Sequence, residues 1–283
     1  MALVIITDSG SEITAEAAKE LNVRVLPLTV RFGNEEYKAG ETLSNEAFYN
    51  KLIETDEFPK TSQISPAVYE DVFEEITEAG DEAIYISISS NLSGTMQSAM
   101  IAAEDYEDSI SIVDSKQASA GVNILVKMAC IYRAEGDSRQ EIVKKLLWDR
   151  ERIKTIAMFD TLEYLKKGGR ISVAAAAIGG ALSIKPVIKI DEGIVKVIGK
   201  AKGSKNAQNK LMQFVRESKG IDFSCPFCLV YTGLDDTMLK KYIEDSKSLY
   251  EEYQEELPYV QAGPVIGTYA GPGAVGFAYF ENE

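Results

Sequence analysis

The sequence predicts an α/β protein of two domains, one built on a parallel, doubly wound sheet and the other on a mainly antiparallel sheet. Strand-like and helix-like segments alternate through the first half of the 283 residues, which is typical of parallel strands joined by crossover helices. In the second half, two apolar runs flank Asp191-Glu192-Gly193, as in a β-hairpin. The length suits two domains, 1–155 and 156–283, packed against each other.

Hydrophobic spacing and capping residues predict the elements of the first domain. Ser65 and Pro66 suit the N-cap and first position of a helix over Pro66–Ala79, whose apolar residues recur on one face. Arg24–Phe32 predicts one continuous strand. The other elements expected here are strands Leu3–Thr7, Ala83–Ile88 and Ser109–Val113, and helices beginning near Thr14, Thr95 and Ala118.

The regular alternation of strand-like and helix-like segments ends in the second domain. A strand over Ile153–Phe159 leads to a short helix that ends at Gly168-Gly169. A helix of small residues is expected next, within an apolar run from Ile171 to Ile184 that is too short to span a bilayer. The expected hairpin strands are Val187–Ile190 and Ile194–Ile198, and Phe277–Phe280 predicts a late strand.

Composition excludes several classes of function. The chain contains no histidine, which removes Ser-His-Asp and Cys-His catalysis and His-ligated zinc. Its formal charge of −14 argues against nucleic-acid binding, because phosphate contacts need clustered cations. The first apolar residues lack a basic segment and predict a strand rather than a signal peptide, so we expect a cytoplasmic protein.

The cysteines do not form a convincing redox or metal motif. Cys225-Pro-Phe-Cys228 has the C-x-x-C spacing, but it precedes an apolar run and therefore begins a strand, whereas the redox motif opens a helix. No second pair is available to complete a zinc site. We expect Cys130, Cys225 and Cys228 to be buried or half-buried thiols, and we expect no cofactor.

Two hydroxyl-rich loops predict a site for a carboxylate or phosphate. One contains Thr61 and Ser62, and the other contains Ser93, Gly94 and Thr95, and each runs into the N-terminus of a helix. Helix N-termini offer free N–H groups and a positive dipole end. Helix capping alone explains about half of these hydroxyl groups. Together on one sheet edge, however, the two loops favour an anion site.

Two apparent enzyme motifs fail. Gly271–Gly276 fits G-x-G-x-x-G, but a strand follows where a dinucleotide site needs a helix. Asn91-Leu92-Ser93-Gly94 lacks the first glycine of a nucleophile elbow, and the chain has no histidine partner.

Six motifs taken together resemble those of the DegV family of fatty-acid-binding proteins, in the expected order and over nearly the whole chain. They are Thr7-Asp8-Ser9, Thr61-Ser62-Gln63-x-Ser65-Pro66, Ser89-Ser90-x-Leu92-Ser93-Gly94-Thr95, Val113-Asp114-Ser115, Tyr164–Ile171 and Gly271-Pro272-Gly273. The resemblance implies two α/β domains and a single long-chain fatty acid in an apolar tunnel. It implies carboxyl contacts from Thr61, Ser62 and Ser93, with Arg170 in the polar network. It also implies a separate fatty acid kinase that phosphorylates the bound acid, so that this protein is a carrier and not an enzyme.

One position departs from the family pattern. The family commonly has a histidine two residues before the Gly-Pro-Gly turn, where this chain has Tyr269. A tyrosine hydroxyl can donate a hydrogen bond to a carboxyl group but supplies no charge near neutral pH.

The charge is unevenly distributed. Lys166–Lys219 carries 12 Lys or Arg against 3 Asp or Glu, a net +9 on a chain of −14. We expect the partner kinase to dock here, through Lys200, Lys202 and Lys205. A solvated face and a transient contact with anionic membrane lipid are the alternatives.

Two other functions stay open from the residues themselves. Asp8 or Asp114, each at the end of a predicted strand, could act as general base in an enzyme for small anions. The protein could instead be a sensor or scaffold in which a ligand only stabilises the fold.

Overall fold

The computed structural model describes residues 2–172, 184–253 and 255–283. Its strands, numbered in chain order, are β1 (Leu3–Asp8), β2 (Val23–Leu26), β3 (Thr29–Phe32), β4 (Glu35–Lys38), β5 (Lys60–Ser62), β6 (Glu82–Ser87), β7 (Ile110–Asp114), β8 (Ile153–Met158), β9 (Ile184–Asp191), β10 (Ile194–Lys202), β11 (Cys228–Tyr231), β12 (Tyr259–Gln261) and β13 (Val275–Phe280). Its helices are α1 (Ala15–Glu20), α2 (Asn45–Glu54), α3 (Pro66–Glu78), α4 (Thr95–Ala103), α5 (Ala120–Glu135), α6 (Arg139–Arg152), α7 (Glu163–Lys167), α8 (Ser204–Glu217), α9 (Thr237–Asp245) and α10 (Pro264–Ala270). The helix expected within the run 171–184 falls largely on residues outside the described ranges.

The first sheet is parallel, with strand order β2-β1-β6-β7, and helices cover both of its faces. Neighbouring residues of β1 point to opposite sides: Ile6 packs with α3 and α4, and Ile5 packs with α5. Pro66 opens α3 as expected, although Ser65 occupies the N-cap without a side-chain hydrogen bond. This sheet confirms the predicted doubly wound domain.

The prediction of one strand over Arg24–Phe32 was wrong. β2 belongs to the parallel sheet, whereas β3 pairs with β4 and β5 in a separate antiparallel sheet of three strands. Pro27 separates β2 from β3, and proline has no N–H group to continue a ladder of strand hydrogen bonds. The N–H of Leu28 instead donates to Oγ of Ser9, at 3.0 Å. This small sheet carries Thr61 on β5.

The second large sheet has six strands in the order β10-β9-β8-β13-β11-β12, and only its β11–β12 pair is parallel. The expected hairpin is confirmed as β9 and β10. Glu192 and Gly193, at its turn, have φ of 49° and 74°, the left-handed values that suit the twist of a tight hairpin. The mainly antiparallel sheet confirms the predicted fold class.

Helix α5 lies between the two large sheets. Its buried residues pack with Ile84 and Ile86 of β6 and also with Cys228, Ala278 and Phe280 of the six-stranded sheet. A helix buried on both sides needs an apolar surface all round, which explains its run of small and aliphatic residues. The two halves therefore share a core. The boundary predicted at residue 155 falls within β8 and stays a prediction.

The halves also meet at α10. Val265 of α10 belongs to the same apolar cluster as Phe48 and Tyr49 of α2. The hydroxyl of Tyr49 donates to the carbonyl oxygen of Ala262, at 2.8 Å. The chain thus returns to the first half just before its last strand, and this return positions Tyr269.

Candidate functional site

A cavity lies between the six-stranded sheet and the loops of the first half. Counted together with the open solvent at its mouth, its empty space is about 920 Å³. Its described lining is mostly aliphatic and includes Leu28, Ile88, Leu92, Ile156, Leu165, Ile188, Ile190, Val195, Val230, Val265 and Ile266. Such walls fit an apolar ligand.

Four of the predicted site residues line this cavity together: Thr61, Ser93, Arg170 and Tyr269. The Oγ1 of Thr61 lies 2.5 Å from the hydroxyl oxygen of Tyr269. The guanidinium carbon of Arg170 lies 4.5 Å from the centre of the Tyr269 ring, a cation–π distance. A hydroxyl cluster with one cation beside it can receive a carboxylate.

Backbone carbonyl groups hold Arg170 in place. Its Nε donates to the carbonyl oxygen of Leu92, at 3.1 Å, and its Nη1 donates to that of Gly168, at 2.6 Å. The first bond joins the loop after β6 to the turn after α7. The guanidinium group is therefore held where the two halves of the chain meet.

Glycine at position 168 makes room for Tyr269. A Cβ on Gly168 would overlap the Tyr269 ring, although the backbone there has an ordinary helical conformation. In the same way, a Cβ on Gly271 would overlap the ring of Tyr164. The glycines of these two motifs thus let α7 and α10 approach closely beneath the cluster.

Three other predicted site residues do not line the cavity within the described part of the chain. Ser62 is exposed, because it follows Thr61 on a strand and points to the opposite side. Gly94 is exposed and packs against Gln63, while Thr95 is fully buried at the start of α4. The N–H of Thr95 donates to Oγ of Ser93, at 3.3 Å. Ligand contacts from Ser62, Gly94 and Thr95 stay predictions.

The sequence reasoning missed three polar residues of the cavity wall: Ser119, Thr155 and Thr232. Ser119 has a positive φ of 54° just before α5, and its hydroxyl donates to Glu12, at 3.3 Å. Oγ1 of Thr232 accepts from the N–H of Ala274, at 2.8 Å. Alternating apolar residues in β8 and β11 could have suggested that one face of each strand is buried. They could not have shown that this face lines a cavity.

Asp8 is fully buried, and its carboxylate is hydrogen-bonded to donors within the protein. Its carboxylate accepts hydrogen bonds from the N–H groups of Gly10 and Ile88 and from the hydroxyl of Tyr85, at 2.9 to 3.0 Å. Burial raises the pKa of Asp8 above its ordinary value, and these hydrogen bonds oppose the rise. Asp8 therefore fixes the loop after β6.

Asp114 holds the same region from the next strand. It accepts from the hydroxyl of Ser90, at 2.6 Å, and from the N–H of Lys116, at 2.9 Å. Neither Asp8 nor Asp114 is among the described residues of the cavity wall. This arrangement does not favour either one as general base for a ligand in the cavity.

The lysines predicted for partner binding are exposed. Within the described ranges, Lys200, Lys202 and Lys205 have no ion-pair partner. Lys200 and Lys202 pair with Pro186 and Ile184 on β9, in phase with the cavity-lining Ile188 and Ile190. By this register they project from the sheet face that carries the cavity.

The cysteines are free thiols, as expected. Cys130 and Cys228 are buried and Cys225 is half-buried. Burial raises the pKa of Cys225 and of Cys228 to about 11, which disfavours the reactive thiolate. Among the described residues, no three His, Cys, Asp or Glu side chains are grouped to hold a metal ion. None of the helices in those ranges combines the length and hydrophobicity that crossing a bilayer requires.

Comparison with known proteins places this architecture in a family. The family model "Uncharacterised protein, DegV family" matches residues 2–282. A DegV domain-containing protein of Caldanaerobacter subterraneus is 35% identical, over 99% of both chains. A fatty-acid-binding DegV family protein from Thermus thermophilus is 31% identical over the whole of both chains, with a TM-score of 0.88. The Fatty Acid Kinase (Fak) B3 protein of Streptococcus pneumoniae, solved with linoleic acid, shares the fold at a TM-score of 0.84 and 22% identity, also over the whole of both chains. This chain therefore belongs to the DegV family.

Proposed function

We propose that this protein binds one long-chain fatty acid in the cavity, with its carboxyl group at Thr61, Ser93, Arg170 and Tyr269. The observation that carries the proposal is the polar cluster of these four residues in an otherwise mainly aliphatic wall. The Thermus relative, which matches over its whole length, is a fatty-acid-binding protein. We propose that Ser62, Gly94 and Thr95 support the cluster from outside the cavity wall.

The energetics suit such a ligand. Each buried methylene contributes about 0.8 kcal/mol, so a long acyl chain supplies on the order of 10 kcal/mol before ordering costs. The carboxyl group must keep hydrogen-bond donors when it leaves water. Thr61 and Tyr269 share one hydrogen bond, so one of their two hydroxyl hydrogens is left to donate to a ligand. The positive charge of Arg170 stabilises the carboxylate from behind the tyrosine ring.

We further propose that the protein presents the carboxyl group to a separate fatty acid kinase. A carboxylate oxygen would attack the terminal phosphorus of a triphosphate donor bound by the kinase. The bond from that phosphorus to the bridging oxygen would break, the diphosphate would leave, and an acyl phosphate would remain. The kinase supplies this chemistry, and the present chain acts as a carrier in the cytoplasm. Lys200 and Lys202 support a docking face on the cavity side of β10, because they lack ion-pair partners in the described chain.

Titration of delipidated protein with a fatty acid and with its methyl ester tests the proposed site. We expect one acid bound per chain, and an ester that binds at least tenfold more weakly because it has lost its charge. Equal affinity for acid and ester would place the carboxyl group elsewhere.

A further inference from the structure

The turn of the β9–β10 hairpin is hydrogen-bonded to the loop that follows β6, although more than a hundred residues separate the two in the sequence. The hydroxyl of Ser89 donates to the carbonyl oxygen of Gly193, at 2.8 Å. The side-chain amide of Asn91 donates to the carbonyl oxygen of Glu192, at 3.0 Å. Ser89 is fully buried, so its hydrogen bond is protected from competing water.

Gly193 lets the hairpin turn and the loop approach this closely. A Cβ at this position would overlap Oγ of Ser89 and would lie 3.0 Å from Nδ2 of Asn91. Its φ of 74° also belongs to the left-handed region that favours glycine. Lys116 forms an ion pair with Glu192, at 3.1 Å, but a pair at the surface contributes little. The contact therefore depends on Ser89, Asn91 and Gly193.

The same loop carries the Ser93 hydroxyl of the polar cluster. The carbonyl oxygen of Ser89 accepts from the N–H groups of Leu92 and Ser93, at 3.0 and 3.1 Å. Oγ of Ser89 also accepts from the N–H of Asn91, at 3.2 Å. Ser89 thus fixes the backbone of the three residues that end at Ser93.

The loop also sets the place of Arg170. The Nε of Arg170 donates to the carbonyl oxygen of Leu92, and Leu92 lines the cavity. A shift of the loop would therefore move this carbonyl oxygen together with the Ser93 hydroxyl. The residues that contact the hairpin turn, Ser89 and Asn91, are not among the described residues of the cavity wall. They can act on a ligand only through residues that are.

Other hydrogen bonds hold the start of the loop from within the first half. The N–H of Ser89 donates to the carbonyl oxygen of Gln117, at 2.8 Å, and the hydroxyl of Ser90 donates to Asp114, at 2.6 Å. The bonds to the hairpin instead hold the loop at Asn91, next to Leu92. Their loss should therefore shift the end of the loop without unfolding the domain.

We propose that the hairpin turn positions the groups that bind the carboxyl end of the ligand. Through the positioning residues Ser89, Asn91 and Gly193, it holds the loop after β6 in place. The Ser93 hydroxyl and the Arg170 guanidinium then converge on the bound carboxylate. A hydrogen bond weakens steeply when its geometry is distorted, whereas the apolar contacts of an acyl chain are not directional. This inference rests on the proposed function and adds the element that aligns its polar end.

The experiment measures the affinity of delipidated protein for hexadecanoic acid and for hexadecanol, by displacement of a fluorescent fatty acid. The two ligands have chains of the same length, but the alcohol lacks the charged group. We expect Asn91→Ala to weaken binding of the acid roughly threefold to tenfold, and binding of the alcohol less than about twofold. Ser89→Ala should lower the ratio of acid affinity to alcohol affinity further, because it removes a donor and an acceptor together.

Asn282→Ala is the matched control for Asn91→Ala. Asn282 is also exposed, and its side-chain amide also donates to the carbonyl oxygen of a distant residue, Lys219, at 3.0 Å. Because Asn282 is not among the described residues of the cavity wall, its loss should leave the ratio of affinities unchanged.

Gly193→Ala tests the same contact from the side of the hairpin, and it should also lower the ratio. Its control is Gly220→Ala, since Gly220 has a φ of 89° and its Cβ would likewise approach an asparagine amide, that of Asn282. Urea unfolding checks that each variant is folded. Asn91 is exposed, so Asn91→Ala decides the question even where a substitution at the buried Ser89 prevents folding.

Each outcome decides a different claim. A ratio that stays the same in Asn91→Ala, Ser89→Ala and Gly193→Ala would overturn the inference, whether the affinities are unchanged or fall equally for both ligands. An equal fall would show that the contact only stabilises the fold. A parent protein that binds neither ligand, or binds acid and alcohol equally, would overturn the proposed carboxyl site itself.

Discussion

The side-chain oxygen of Thr61 lies 2.5 Å from the hydroxyl oxygen of Tyr269, although 208 positions separate the two residues in the sequence. This contact joins the small sheet of the first half to α10 of the second. It places a hydroxyl group from each half at one point of the cavity wall. A carboxyl group bound there would contact both halves at once, so the ligand should stabilise their packing.

Removal of either loop hydroxyl should weaken binding of a fatty acid. A hydrogen bond to a charged group is worth about 1.5–3 kcal/mol, so Ser93→Ala and Thr61→Val should each raise Kd about tenfold or more. Ser65→Ala is the matched control, because Ser65 is exposed, makes no side-chain cap hydrogen bond and does not line the cavity. Calorimetric titration measures all three, and unchanged affinity in both cavity variants would refute the assigned carboxyl site.

Tyr269→His should introduce a pH dependence of binding. A histidine there gains a positive charge as pH falls through about 6.5, and this charge attracts the ligand carboxylate. We expect Kd for a fatty acid to decrease as pH falls from about 7.5 to 5.5, relative to the parent protein. Tyr269→Phe, which lacks the hydroxyl, should bind more weakly without acquiring this dependence. Identical pH profiles for Tyr269→His and the parent would show that position 269 is not at the carboxyl group.

Glu12 should make the protein less stable as pH rises. It is buried and accepts from the N–H of Gly263, at 2.7 Å, and from Ser119. Burial raises the pKa of Glu12 from about 4.5 to about 8. The folded protein therefore holds a proton that the unfolded chain has lost, and stability falls as pH rises from about 4.5 to about 8, by on the order of 1 kcal/mol per pH unit.

Glu12→Gln isolates this contribution, since its amide keeps the shape of the protonated carboxyl group. Its free energy of unfolding should match that of the parent near pH 5 and exceed it increasingly toward pH 8. Urea unfolding at several pH values measures both, and a constant difference across the range would contradict the prediction.

Reversal of Lys200, Lys202 and Lys205 to Glu tests the docking face. Docking predicts slower phosphorylation of the bound acid by the kinase, with normal affinity for free fatty acid and strong dependence on salt. Slower exchange with anionic vesicles and normal phosphorylation would indicate membrane contact instead. The matched control reverses the exposed Lys19, Arg31 and Lys144 on the first half, which have no ion-pair partner within the described residues. If neither the phosphorylation rate nor the rate of exchange with vesicles changes when Lys200, Lys202 and Lys205 are reversed, these lysines only form a solvated face of the domain.

Local signals predicted most of the fold. Apolar spacing and Pro66 predicted α3, and Asp191-Glu192-Gly193 predicted the β9–β10 hairpin. The prediction of one strand over Arg24–Phe32 was wrong because Pro27 lies between two short apolar segments, and a proline there disfavours a single strand. The order of strands in the six-stranded sheet was not accessible, because β8 pairs with β13 more than a hundred residues later.

The residues of the cavity wall were predicted only in part, for a similar reason. Thr61 and Ser93 lie in hydroxyl-rich loops, and the sequence shows those loops directly. Thr155 is one threonine in an ordinary strand, and only the folded arrangement of that strand brings it to the cavity wall. Its place in the wall depends on packing between distant parts of the chain, which no local pattern encodes.

Mass spectrometry of the lipid carried by the purified protein tests the central claim most directly. Protein purified without detergent is extracted with organic solvent, and the released lipid is quantified against the protein. We predict close to one fatty acid per chain, and loss of that lipid from the double variant Thr61→Val and Ser93→Ala. Absence of stoichiometric lipid, together with no binding of added fatty acid after delipidation, would contradict the account.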